Sequence, residues 1–209
     1  MSDNTLIIGI DEAGRGALAG PVVAAACHLT TAIPESILIQ DSKKLTKPQR
    51  EEAFTWITQN CLYGIGIVEA KDIDNIRILS ATEKAMNLAV EELVKNLSQS
   101  PSPIPPCSFY LLIDGRDKFW FDYPHSSIID GDQKEPAISA ASIVAKVTRD
   151  RLMVDYAIVY PHYDFDVHKG YGTEQHRNAI EKHDLSPIHR TTFCHTALAT
   201  TQEARSEVP

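Results

Sequence analysis

Two acidic side chains, Asp11 and Glu12, stand at the end of a short apolar run, Leu6 to Ile10, and a turn containing Gly14, Arg15 and Gly16 follows them. A second apolar run, Phe109 to Ile113, also ends in a carboxylate, Asp114, and a β-leaning segment, Ser126 to Ile129, leads into Asp130-Gly131-Asp132. An unpaired carboxylate in a protein interior costs several kcal/mol, roughly, so acids at the ends of core strands need a cation or a place at the rim of a sheet. Asp11, Glu12, Asp114 and Asp132 are therefore the candidate metal-binding and catalytic acids. Hard oxygen donors select Mg²⁺ or Mn²⁺ over zinc or copper. Carboxylates grouped around two such ions suit phosphoryl transfer, one ion generating the attacking hydroxide and the other stabilising the leaving oxygen. No Ser or Cys nucleophile with a His–Asp relay is signalled. Asp11 is the expected bridging ligand. Neighbouring strand residues point to opposite faces, so Glu12 reaches the ions only if it already lies on the turn or acts through water.

A second set of residues suits the recognition of a nucleic-acid strand. Backbone groups of the Gly14-Arg15-Gly16 turn, beside the metals, could hydrogen-bond a 2′-hydroxyl, the group that separates RNA from DNA. Arg15, Lys43, Lys44, Lys146 and Lys169 could hold phosphates, which sets position and not sequence. Tyr171, flanked by Gly170 and Gly172, could press on a sugar or base. The plainer alternatives are a solvated lysine pair and a surface tyrosine. His189, Cys194 and His195 invite a zinc reading, but their spacing fits no closed four-ligand set.

The elements that must position these groups follow from pattern. Leu6 to Ile10 reads as a strand buried on both faces, and Pro21 to Leu29 as a second strand antiparallel to it across the short glycine-rich connection. Thr46 and Gln49 have capping-box spacing with Pro48 in the first turn, which predicts a helix to about Asn60. Leu62 to Glu69 is a third strand. Ser80 and Glu83 repeat the capping-box spacing, and Met86, Val90, Leu93 and Leu97 keep a 3.6-residue stripe to about Asn96. Asp72 and Asp74 are read as residues approaching that helix. Ser98 to Pro106, rich in proline and serine, is a surface connection. The intervening helix makes Phe109 to Ile113 parallel to the first strand, placing Asp11 and Asp114 at one sheet edge, where open α/β sheets carry their sites. Pro136 opens a long helix with Ile138, Ala141, Ala145, Thr148 and Leu152 on its stripe and small residues that let it pack closely on a sheet; Asp132 lies near its N-terminus, where the dipole favours an anion. Thr173 caps a helix to His183.

The chain of 209 residues carries a net charge of −8, unlike a general nucleic-acid binder, so a nuclease of this composition needs a local basic track and metal ions at its acidic centre. Cys27, Cys61, Cys107 and Cys194 are scattered without paired spacing, which points to a reducing, cytoplasmic setting. No signal peptide or membrane-length apolar segment is visible. The length suits one domain, expected over residues 1–198, with a polar, frayed tail at 199–209.

Taken together, Asp11-Glu12-Ala13-Gly14-Arg15-Gly16, Asp41-Ser42-Lys43-Lys44-Leu45, Leu112-Ile113-Asp114-Gly115, Gly131-Asp132, the run Ile138 to Asp150 and His168-Lys169-Gly170-Tyr171-Gly172-Thr173 closely resemble ribonuclease HII, the bacterial type 2 ribonuclease H, in order and across about residues 6 to 195. The resemblance implies an α/β, ribonuclease-H-like fold: a mixed five-stranded sheet flanked by helices, with a C-terminal helical extension. It implies endonucleolytic hydrolysis of the RNA strand of RNA–DNA hybrids and cutting at ribonucleotides embedded in duplex DNA, 5′ to the ribonucleotide, leaving 3′-hydroxyl and 5′-phosphate ends. Carried over by motif, Asp11, Glu12, Asp114 and Asp132 bind two divalent ions, Gly14 to Gly16 read the 2′-hydroxyl, and Tyr171 senses the junction. The Ser98 to Pro106 connection is longer than the family needs. The tail from Thr200 to Pro209 has no aromatic clamp-docking motif, so no sliding-clamp contact through it is expected, and the protein is expected to be a monomer. The competing readings are another two-metal nuclease acting on DNA and a non-catalytic hybrid-binding module.

Overall fold

The computed structural model describes residues 5–98 and 109–195. The proline-rich connection beyond Ser98 and the tail, with the expectations that concern them, lie outside the described residues.

Five strands form one mixed sheet: β1 (Leu6–Ala13), β2 (Val22–His28), β3 (Leu62–Val68), β4 (Phe109–Asp114) and β5 (His125–Ile128), in the order β3-β2-β1-β4-β5. β1 and β2 are antiparallel, as are β2 and β3, while β4 and β5 run parallel to β1 and β4 respectively. The long helices cover the two faces. α1 (Lys47–Asn60) and α4 (Pro136–Val159) lie on one face, and α3 (Ile78–Ser98) lies on the other, preceded by the short α2 (Ala70–Ile76). α5 (Phe165–His168), α6 (Glu174–His183) and a further helical segment at 191–195 form the C-terminal extension.

The pleat sorts the strand residues cleanly. Ile8, Ile10, Leu111 and Ile113 join Ala85, Met86, Ala89 and Leu93 of α3 in one core. Ala13, Ala25 and Cys27 join Ala53 and Ile57 of α1 and Ala140, Ala141 and Val144 of α4 in the other. α4 is buried on nearly all sides from Ala137 to Ala145 rather than along a single stripe, because it is pressed between the sheet and α1. Its first turn meets β1 so closely that a Cβ at Gly9 would lie 2.1 Å from the carbonyl carbon of Ala137. A third core, from Leu18, Ala19, Met153, Tyr163, Phe165, Ile180, Ile188 and Cys194, fixes the C-terminal extension to the β1–β2 connection.

Three expectations about elements are corrected. β1 continues through Asp11 and Glu12 to Ala13, because β2 keeps offering backbone partners (Asp11 opposite Ala25, Glu12 opposite Ala24, Ala13 opposite Val23). Asp72 and Asp74 lie inside α2, which a left-handed Arg77 (φ 69°) separates from α3. The Ser80–Glu83 box does not start α3, since the helix already begins at Ile78 and the Ala81 N–H donates to the Arg77 carbonyl. Glu83 instead accepts the Trp120 backbone N–H at 2.8 Å. The first box does form at α1, where the Thr46 N–H donates to Gln49 Oε1 at 2.9 Å.

Candidate active site

Ile10 pairs with Ile113 across the parallel β1–β4 ladder, so Asp11 and Asp114 follow side by side at the carboxyl ends of the two central strands. Both fall on the α4 face, since Ile8, Ile10, Leu111 and Ile113 occupy the other. The third acid is brought in by backbone. Asp114 Oδ1 accepts the N–H groups of Gly131 at 2.7 Å and Asp132 at 3.3 Å, which holds the turn at Gly131–Gln133 against the strand end. Asp130 enters that turn in left-handed backbone (φ 54°), and the Ser139 hydroxyl of α4 donates to the Asp132 carbonyl at 2.8 Å. Asp11, Asp114 and Asp132 thus offer carboxylate oxygens all within 4.8 Å of one another, the single group among the described residues with the composition and spacing to hold a metal ion.

Charge at this point is only partly compensated by protein. Asp11 is 6% exposed. Burial, and then the charges of Glu12 and Asp114, push its carboxyl well above the usual range, against the hydrogen bonds it receives from Ser142 and the Glu12 N–H. Asp132 is pushed up by burial and by Asp114 and Asp41. Such a set of hard oxygen donors, crowded until they repel, fits divalent cations. Lys43 is the nearby cation: burial disfavours its charge, but Asp11, Asp41, Asp132 and Asp114 outweigh that and raise its pKa.

Glu12 stands apart. The pleat sends its side chain away from the α4 face, and it lies outside the three-carboxylate group. It pairs with Arg15 at 3.3 Å, and Arg15 in turn pairs with Asp117 at 2.8 Å. Burial raises its carboxyl despite the guanidinium. Of the two routes left open for Glu12, its pairing with Ala24 inside β1 excludes a place on the turn and leaves reach through water, and the Arg15 guanidinium is engaged by two carboxylates.

Asp11, Glu12, Gly14, Arg15, Gly16, Ser42, Lys43, Ser142, Lys146 and Tyr171 line one cleft of about 460 Å³. Two of the expected phosphate ligands lie outside it. Lys44 donates to Gln133 at 2.8 Å, and Lys169 lines a neighbouring pocket with Lys47 and Asp150. Lys146 bonds Asp150 at 2.7 Å, with its ammonium 5.8 Å from the centre of the Tyr171 ring.

The glycine-rich connection and the Tyr171 loop are held by two arginines that no sequence motif singled out for this purpose. Arg149 of α4 is fully buried and spends its fork on carbonyls: Nε to Pro21 at 2.9 Å, one terminal nitrogen to Lys169 at 2.9 Å, the other to Ala19 at 3.0 Å. Arg190, also fully buried, donates to Gly20 at 3.0 Å and Arg15 at 2.9 Å. Burial lowers both pKa values, that of Arg190 to about 9. Gly14 (φ +96°) lies against Arg149, so a Cβ there would come within 2.0 Å of Nε. Backbone bonds from Leu18 and Ala19 to Gly170, from Gly20 to Ile188 and from Arg190 to Leu18 complete the unit. His189 and Cys194 serve the same framework, bonding Ser186 and the Leu18 carbonyl rather than a metal.

A mixed sheet flanked by helices, with three acids at the carboxyl ends of its central strands and a cleft beside them, defines a metal-dependent nuclease of the ribonuclease-H-like fold. The family model described as Ribonuclease HII matches residues 8–196. A ribonuclease HII from Acetivibrio thermocellus is 49% identical over 192 residues, covering 90% of this chain and 69% of the relative. Among solved structures, the ribonuclease H2 of Pyrococcus horikoshii OT3 superposes with a TM-score of 0.66 at 26% identity, over 94% of this chain and 99% of that one. Bst-RNase HIII in complex with Mn²⁺ superposes with a TM-score of 0.67 at 15% identity, over 96% and 71%, a likeness of fold alone. The chain belongs to the ribonuclease HII family. It is a ribonuclease H, hydrolysing the RNA strand of RNA–DNA hybrids. Among the described residues no helix is long and apolar enough to cross a membrane.

Proposed function

We propose that the protein is an endonuclease that cuts RNA in RNA–DNA hybrids and at ribonucleotides embedded in duplex DNA, 5′ to the ribonucleotide, leaving 3′-hydroxyl and 5′-phosphate ends. Asp11, Asp114 and Asp132 hold two divalent ions, Mg²⁺ or Mn²⁺, and Glu12 contributes through water from the other side of β1. When bound, the ions supply the attacking hydroxide and stabilise the leaving oxygen. The observation that carries this reading is the convergence of the three carboxylates within 4.8 Å beside a cleft that also contains Gly14, Gly16 and Tyr171.

The two glycines support a division of labour. Gly14 is demanded by the protein itself, through its positive φ and Arg149. Gly16 is not: a Cβ there would meet no atom within 4 Å. Its bareness serves a ligand that must approach the backbone closely, here the ribose bearing the 2′-hydroxyl. Lys43 and Lys146, which line the cleft, hold phosphates, and Tyr171 packs against the neighbouring sugar. The chain acts as a monomer in the cytoplasm, without a clamp-docking peptide in its tail.

The test is cleavage of duplex DNA bearing one ribonucleotide beside an all-DNA control, with Mg²⁺ and then Mn²⁺. Cutting confined to the ribonucleotide strand, 5′ to the ribose, is expected. Equal cutting of both duplexes would refute the reading.

A further inference from the structure

Three buried histidines, His168, His176 and His189, lie beneath the Tyr171 loop and face one another. The rings of His168 and His176 stack with centroids 4.2 Å apart, and His176 Nε2 sits 3.0 Å from His189 Nε2. Their partners fix every proton. The Ser186 backbone N–H, which can only donate, points at His189 Nδ1 at 2.9 Å. That nitrogen must therefore accept, and the proton of a neutral His189 is on Nε2. Nε2–H then donates to His176 Nε2, which must accept, and the proton of His176 is on Nδ1. From there it donates to the Tyr171 carbonyl at 3.0 Å. The same logic applies to His168: the Gly170 N–H donates to its Nδ1 at 3.1 Å, so its Nε2–H donates to the Tyr163 carbonyl at 2.6 Å.

We infer that His176, oriented by His189, is a positioning residue for the Tyr171 loop: a one-way hydrogen-bond chain runs from Ser186 in the C-terminal segment through the two imidazoles to the Tyr171 carbonyl, and sets how the tyrosine is presented to substrate. The chain has one polarity only. A second proton on His176 would set two N–H groups face to face across the 3.0 Å contact, and one on His189 would set its Nδ1–H against the Ser186 N–H at 2.9 Å. The surroundings keep both neutral. Burial, followed by His168, lowers the pKa of His176 to about 3, and burial lowers that of His189 to about 4. The charged groups acting on the trio bear on His168, with Asp164 and Asp166 raising its pKa and Lys169 lowering it. The backbone N–H of Thr173 also reaches the Tyr171 carbonyl, at 2.8 Å, so the loop keeps one anchor when the imidazole is removed. The effect of breaking the chain is then a misplaced ring rather than an unfolded protein.

The inference rests on the reading of Tyr171 as a substrate contact, and the experiments separate the two. The first needs no activity: in the full chain labelled with ¹⁵N-histidine, the ring-nitrogen shifts report the tautomers. His176 is expected as the Nδ1–H form and His189 as the Nε2–H form, both unchanged from pH 8 to pH 5.5. His176 as Nε2–H overturns the proposal. The second compares His176→Leu with His176→Asn, whose amide nitrogen takes the place of Nδ1 and keeps the donor to Tyr171. His176→Leu is expected to raise KM for duplex DNA with one ribonucleotide on the order of 3- to 10-fold, the span of one net hydrogen bond, with little change in kcat. His176→Asn is expected to restore most of that loss. Equal losses in both variants, or a loss in kcat alone, overturn the proposal. The third places His176→Leu in a Tyr171→Ala background, where its effect on KM is expected to vanish. If it persists undiminished, His176 does not act through Tyr171. If Tyr171→Ala alone leaves KM unchanged, the assigned role of Tyr171 fails, and the tautomer measurement still decides whether the chain exists.

Discussion

Replacing Arg149 by Met tests the framework on which the cleft stands. Methionine keeps most of the apolar stem but removes the guanidinium, leaving the carbonyls of Pro21, Lys169 and Ala19 without their donors at 2.9, 2.9 and 3.0 Å. A buried acceptor stranded in this way costs about 1–3 kcal/mol, so three cost about 3–9 kcal/mol if none finds water. Against that, a guanidinium that bonds only carbonyls has lost its hydration without a carboxylate in return, a penalty of several kcal/mol, roughly, that the substitution relieves. The expected net loss is about 3–4 kcal/mol, a large share of the roughly 5–15 kcal/mol that holds a domain together. Arg149→Lys restores one donor of three and should lose about 2–3 kcal/mol. Equilibrium urea unfolding measures both, with unchanged m-values required. Cleavage of a single-ribonucleotide duplex, at a temperature where each variant is folded, should fall further than stability alone demands, because the same fork ties the Gly14 side of the cleft to the Tyr171 side. A loss below about 1 kcal/mol for Arg149→Met, or a lysine variant as stable as the parent, would refute the claim that the fork organises this region.

Other outcomes follow from the same geometry. Asp114→Asn should abolish cleavage while largely sparing hybrid binding, read by pairing a turnover assay with a gel shift; retained turnover would remove Asp114 from the chemistry. Gly14→Ala should destabilise by about 2 kcal/mol or more, since the added carbon would meet Arg149 in backbone that alanine avoids. Gly16→Ala should leave the urea midpoint within about 0.5 kcal/mol of the parent yet lower cleavage at ribonucleotides, and equal behaviour of the two variants would contradict the division between them. Acid should weaken the fold through the histidines. Their pKa values in the folded state, about 3 for His176 and about 4 for His189, lie below the ordinary imidazole value, so the unfolded chain binds protons more readily. Their contribution is complete above about pH 6.5 and is lost as pH falls below it, by at most about 1.4 kcal/mol per unit for each ring. The raised carboxyls of Asp11 and Asp132 have the opposite dependence, so the quantity to measure is a difference. Between pH 7 and pH 5, His189→Gln should lose about 1–2 kcal/mol less than the parent, and identical slopes would show that His189 is not held neutral by the fold.

Much of the frame was legible because it is written in local pattern. Short apolar runs gave three of the five strand positions, looser β patterns at Leu62 to Glu69 and Ser126 to Ile129 gave the other two, and the parallel placement of the Phe109 strand followed from the helix before it. Thr46 and Gln49 marked the start of α1 through a bond that the folded chain makes. The same spacing at Ser80 and Glu83 misled, because α2 runs almost directly into α3 and an earlier carbonyl already serves that turn. Capping spacing says what a side chain could do and not whether the backbone has already met its need.

What the sequence by itself determined is the set of acids and their places at strand ends, since a carboxylate closing a buried run has few inexpensive locations. Tertiary structure decided which of them share a space. Asp11 and Asp114 lie together because β1 and β4 pair in a register that sets both on the α4 face, whereas β2 held β1 extended three residues longer, to Ala13, and turned Glu12 toward Arg15. Arg149, Arg190 and the histidines acquired their roles only on folding. An arginine or histidine reads the same in a sequence whether it faces water or a distant carbonyl, and only the packed chain, by removing the water, makes those carbonyls its partners.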